Sequence, residues 1–105
     1  MEHYELYETY TSEDLIFYSD HYDFHFAHLD EINNQTVIME YKQKYASGYI
    51  KLIRRLVQFP DGLNVLFIEW YDLNGCMNLE ESSVLYSRNL RRLYNLYYRL
   101  RTEVL

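Results

Sequence analysis

Between residues 36 and 73 the chain runs in three apolar, β-rich stretches separated by turn chemistry. Residues 36–45, 50–59 and 63–73 favour β-branched and aromatic side chains, as strands do. Asn33-Asn34 precedes the first stretch, and Ala46-Ser47-Gly48 divides it from the second. Between the second and third stands Phe59-Pro60-Asp61-Gly62. Proline presets the first turn position there, Asp tolerates the next, and Gly supplies a left-handed residue. Tyr49, Leu52, Ile53, Leu56 and Val57 also fit a helical spacing. The turn that follows decides for strand, and the pattern predicts a three-strand antiparallel meander. Asn74-Gly75 is a further turn signal, after which residues 76–79 are either a short strand or the approach to a helix.

Toward the end, Leu79, Tyr86, Leu90, Leu93, Tyr97, Leu100 and Val104 recur at helical spacing. Asn78 with Glu81 suits a helix start, and late arginines suit the helix dipole. The spacing predicts a long helix packed across one sheet face, with Arg88, Arg91, Arg92, Asn95 and Arg99 on its outer side. The first third reads two ways. Tyr22, Phe24, Phe26 and His28 alternate like a strand, whereas Leu15, Tyr18, Tyr22, Phe26 and Leu29 fit a helix capped by Thr11 or Ser12. The weight of β-forming aromatics favours strands at 15–19 and 22–31. The expected fold is α+β, an antiparallel meander of four to six strands against a long C-terminal helix, in one domain over 1–105.

Charge adds a division that the hydrophobic pattern does not show. Residues 1–41 hold no Lys or Arg and ten acids, Glu2, Glu5, Glu8, Glu13, Asp14, Asp20, Asp23, Asp30, Glu31 and Glu40. All ten basic residues follow, beside six acids, so a segment at −10 precedes one at +4 for a net −6. Such asymmetry speaks to partners and encounter rates rather than fold. The same segment is aromatic, and the chain's 13 tyrosines exceed what one small core needs. Tyrosine pairs an apolar body with a hydroxyl that wants a partner, so the surplus belongs at core edges or contact surfaces. The competing explanation is internal: the acidic part folds against the basic part and cancels it.

Catalytic chemistry finds little to stand on. There is no glycine-rich phosphate loop and no dinucleotide fingerprint, and no carboxylate pair is singled out by an apolar surround. Cys76 is the single cysteine, so no internal disulfide forms, and no activated-thiol motif surrounds it. The expectation is a protein without enzymatic activity and without a cofactor. His3, His21, His25 and His28 all lie in the first 28 residues. His21, Asp23 and His25 would share a side of a strand, and His21, His25 and His28 a face of a helix. The trio His21, Asp23 and His25 is an incomplete metal set, since a structural site normally uses four ligands. With no basic, apolar leader and no membrane-length apolar run, the reading is cytoplasmic.

Carboxylates interleaved with tyrosines complement a basic, nucleic-acid-handling protein, because carboxylates stand in for phosphates and tyrosines supply anchors. The expected function is an acidic protein-binding module that inhibits or sequesters such a partner, in the manner of an immunity protein or a phage anti-defence DNA mimic. Its expected contacts are Glu5, Tyr7, Glu8, Tyr10, Glu13, Asp14, Asp20, Tyr22 and Asp23. Two alternatives stand beside it. One is nucleic-acid binding through Arg88, Arg91, Arg92 and Arg99, edged by Tyr94 and Tyr98, against which the net charge argues. The other is a homo-oligomer in which the acidic surface of one copy meets the arginine stripe of another.

Overall fold

The computed structural model describes residues 14–104, with side chains to 99. Its elements in order are β1 (Phe17–Asp20), α1 (His21–Ala27), α2 (Leu29–Asn33), β2 (Thr36–Lys44), β3 (Ile50–Gln58), β4 (Asn64–Trp70), β5 (Ser83–Ser87) and α3 (Leu90–Val104). The five strands form one antiparallel sheet in the order β1-β5-β4-β3-β2. The fold is the expected α+β class, a meander from β2 to β5 with β1 added beside β5.

The β3–β4 hairpin closes at the proline turn. The Phe59 amide donates to the Leu63 carbonyl at 2.8 Å, and the Gly62 amide to the Phe59 carbonyl at 3.0 Å. Gly62 sits at φ 92°, where a Cβ would be strained. Arg88 ties this turn to the start of α3, donating to the Asp61 carbonyl at 2.7 Å and to its carboxylate at 3.2 Å.

Both sheet faces are covered, because side chains along a strand alternate between them. From β4, Val65 and Phe67 join Val57, Phe59, Val84 and Phe24 of α1 in one buried cluster, against which Ile32 of α2 packs. On the other face Leu66 joins Leu56 with Leu93 and Tyr97 of α3. Arg54 is buried on that second face, its guanidinium 5.6 Å from the centre of the Tyr41 ring. The result is three layers, with α1 and α2 on one side and α3 on the other. At the β2 edge the bulges after Val37 and Gln43, with Lys42 and Lys44, break up a flat unpaired strand.

Two expectations are corrected. Residues 22–31 are helical, not a strand. The Asp20 carboxylate accepts the Asp23 amide at 2.8 Å and so caps α1. Burial of His21 and Phe24, one turn apart, then outweighs the β-preference of the aromatics. The helical alternative had the wrong face: Tyr22, Phe26 and Leu29 are exposed, and the cap is Asp20 rather than Thr11 or Ser12. The second correction is the C-terminal helix, which begins at Leu90 rather than near Asn78. Ser83–Ser87 is a strand held on both sides, Val84 pairing with Phe67 and with Ser19. Asn78 does accept amides, from Glu80 and Glu81, but it closes a turn. Asn89 caps the helix, accepting the Arg92 amide at 3.3 Å.

Candidate functional site

Of the acids and tyrosines expected to form a binding surface, Glu5, Tyr7, Glu8, Tyr10 and Glu13 lie outside the described residues. Asp14 is turned toward α3. Its carboxylate accepts from Asn89 at 2.5 Å, and its carbonyl accepts from the Arg92 guanidinium at 2.8 Å. Asp20, Tyr22 and Asp23 stay together at the start of α1, all exposed. The Asp23 amide and carboxyl hold the Asp20 carboxyl below its ordinary range. The hydrogen bond and charge of Asp20 push the Asp23 carboxyl up in turn.

On the same helix, Tyr22 and Phe26 stand one turn apart with ring centres 5.0 Å from each other. They are 55% and 62% exposed, respectively. With His21 and His25 they form one wall of a groove whose other wall is Met77 and Leu79, from the loop between β4 and β5. The groove volume is about 400 Å³. His21 and His25 also stack, at 6.0 Å and an interplanar angle of 13°. Helical spacing thus lays two ring pairs side by side.

The inner end of the groove is fixed by a buried pair. His21 Nε2 lies 2.7 Å from Glu69 Oε2. The other Glu69 oxygen accepts from the Tyr71 hydroxyl at 3.1 Å and lies 4.0 Å from Arg55. Arg55 in turn donates to Glu40 at 2.7 Å. A charged row therefore runs from His21 across β4, β3 and β2 to the far edge of the sheet. Burial alone would raise the Glu69 carboxyl, but the His21 hydrogen bond and the Arg55 charge overcome it and hold the group below its ordinary value. Burial and the Glu69 carboxylate push the Tyr71 phenol up to about 12. In chemical terms Glu69 orients the His21 ring, and the pair clamps α1 to β4.

Sequence reasoning missed this pair. The available signal was Glu69, a lone acid in the apolar run Asn64–Trp70, at a position facing the same side as Val65 and Phe67. A buried acid needs a partner, and an early histidine was on hand. The metal trio does not assemble. The Asp23 amide is spent on the Asp20 carboxylate, His21 is taken by Glu69, and His25 stacks on the His21 ring at 6.0 Å. Among the described residues no three His, Cys, Asp or Glu side chains converge as a metal set.

The Asp, Glu, Lys and Arg residues of the two segments that wall the groove are of one sign. Residues 14–41, which supply α1, and residues 56–87, which supply the loop, contain no Lys or Arg. Asp20, Asp23 and Asp30 lie exposed on the helical side, and Asp72, Glu80 and Glu81 on the loop side. Arg55 stands at the inner end, 4.0 Å from Glu69 and paired with Glu40, and Arg88 pairs with Asp61.

The arginine stripe is less continuous than its spacing suggested. Arg88 precedes α3 and serves the Asp61 turn, while Arg92 reaches back to Asp14. Arg91 and Arg99 remain exposed, with the Tyr94 and Tyr98 rings tilted against each other, centres 5.2 Å apart, on the same helix.

Comparison with protein-family models, with curated proteins and with solved structures finds no match to this chain. Among the described residues, no helix is long and apolar enough to cross a membrane.

Proposed function

We propose that this chain is a protein-binding module that inhibits or sequesters a basic, nucleic-acid-handling partner, and that it receives the partner on the outer face of α1. The observation that carries the reading is the pairing of Tyr22 with Phe26 in solvent beside Asp20 and Asp23. Phe24, Phe59 and Phe67 show that the fold buries aromatics readily. Leaving a large apolar side chain exposed forgoes roughly 1.5–3 kcal/mol of burial. Aromatic anchors ringed by charge are the usual centre of a protein interface. The exposed carboxylates of α1 and the β4–β5 loop would steer a positive partner and repel nucleic acid itself.

The reading is of a non-enzymatic, cofactor-free protein of the cytoplasm, where an exposed lone thiol such as Cys76 stays reduced. The test is titration against purified basic nucleases, with wild type beside Phe26→Ala and the Asp20→Asn, Asp23→Asn double variant. Binding by wild type, weakened at least tenfold in both variants, supports the module. Equal binding by all three would move the interface elsewhere.

A second reading rests on Arg91 and Arg99 standing exposed with the adjoining rings of Tyr94 and Tyr98. Such a surface suits single-stranded nucleic acid, through phosphate contacts and base stacking. A gel shift at low salt that disappears with Arg91→Ala, Arg99→Ala would favour it.

A further inference from the structure

We infer that the groove between α1 and the β4–β5 loop receives an apolar side chain of the partner flanked on both sides by Lys or Arg. The inference rests on the protein-binding reading above and specifies what the partner presents. The groove's walls are rings and a thioether: His21, Tyr22, His25, Phe26, Met77 and Leu79. Its volume of about 400 Å³ falls at the lower end of the roughly 300–1,000 Å³ that bound groups usually occupy. That is room for one or two apolar side chains. Met77 is unbranched and polarizable and adapts to the shape of what enters. The clamp of His21 on Glu69 keeps the inner wall in place before anything binds, which lowers the ordering cost of association.

Charge complementarity selects the flanks. Both chain segments that wall the groove are free of Lys and Arg. Asp20 caps the helix that forms one wall, Asp23 lies in its first turn, and Glu80 and Glu81 follow Leu79 on the other. An anionic ligand would enter against these carboxylates, whereas a cationic flank gains from them. The exposed rings of Tyr22 and Phe26 also accept a guanidinium or ammonium through their π faces. An apolar residue between two bases satisfies groove and rim together.

The experiment is NMR titration of the labelled full chain with three acetylated, amidated peptides. The first is Lys-Arg-Lys-Leu-Phe-Lys-Arg-Lys. The second replaces Leu-Phe by Ala-Ala, and the third replaces every base by Glu. The expected result is a shift of the Met77 methyl and of the His25 and Phe26 amides by the first peptide, at least tenfold tighter than by either twin. Phe26→Ala and Leu79→Ser, both at exposed positions, should each weaken it about tenfold with unchanged thermal unfolding. Equal binding by the Ala-Ala twin overturns the groove inference and leaves the acidic-surface reading standing. Shifts confined to α3, or shifts that appear on concentrating the protein alone, overturn it in favour of another surface or a second copy. No shift with any peptide to millimolar concentration also overturns it, and the nuclease titration then decides the broader reading separately.

Discussion

His21 Nε2 and Glu69 Oε2 meet at 2.7 Å across 48 positions of sequence, both side chains almost wholly buried. This contact joins the first turn of α1 to the end of β4 and holds the inner wall of the groove. Removing one partner of a buried hydrogen bond leaves the other unsatisfied, at a cost of ~1–3 kcal/mol. Glu69→Ala, which also takes the acceptor from the Tyr71 hydroxyl, should therefore destabilise the protein by about 2–3 kcal/mol in urea unfolding. A loss below about 0.5 kcal/mol, the range of ordinary surface changes, would mean that the clamp does not hold α1.

The same network sets a two-sided pH profile. The Glu69, Glu40 and Asp61 carboxyls are all held below their ordinary values, Glu69 against the pull of its burial, Glu40 by Arg55, and Asp61 by the Leu63 amide and Arg88. A lowered folded value means that the unfolded chain binds more protons in that window. Their stabilisation is present above the ordinary values of 4.5 for Glu and 3.8 for Asp. It drains away as pH falls through the lower folded values. Tyr71 runs the other way. Raised from 10.0 to about 12, it stabilises the fold below pH 10 and loses that contribution as pH climbs to about 12. Thermal unfolding across pH should show both limbs, and Tyr71→Phe should remove part of the alkaline one.

Tyr22 and Phe26 face solvent, so truncating them should leave the fold intact. Tyr22→Ala and Phe26→Ala are each expected to change stability by no more than ~0.5 kcal/mol. Each should cost ~2 kcal/mol of partner binding, as interface anchors do. Calorimetric unfolding alongside a binding assay separates the two. Marked destabilisation would show that the pair belongs to the fold rather than to a surface.

Asn89 holds two roles at one position, capping α3 through the Arg92 amide and donating to Asp14. Asn89→Ala removes both, for a loss of ~1–2 kcal/mol. Asn89→Asp keeps the cap but sets a carboxylate against Asp14. It should be destabilised as well, with recovery as pH falls and the two carboxyls protonate.

Much of the sheet was legible in the sequence because strong turn residues punctuate it. Pro60-Asp61-Gly62 and Ala46-Ser47-Gly48 delimit β2, β3 and β4 within a few residues of their observed ends. The helices were harder. In α1 the deciding signals were a capping Asp20 and the burial of Phe24, and both compete with aromatic side chains that suit strands equally well. At β5, Tyr86 lies in helical phase with Leu90 and Leu93, yet Val84 and Tyr86 meet the core on one sheet face while Leu85 meets it on the other. That two-sided burial is a tertiary fact, invisible to a single period. That Asp20, Tyr22 and Asp23 sit exposed at one helix start was not legible from a strand reading of residues 22–31. Nor was the groove, because Met77 and Leu79 reach α1 only through the folded β4–β5 loop.

The most direct measurement is the affinity of the full chain for a basic nuclease across roughly 50–300 mM salt, over which the screening length shortens about 2.4-fold. It would be made with wild type and with the Phe26→Ala, Asp20→Asn, Asp23→Asn triple variant. A partner that binds wild type, weakens steeply with salt and is lost to the variant is the predicted result. Salt-independent affinity shared by wild type and variant would contradict the assignment of the α1 face.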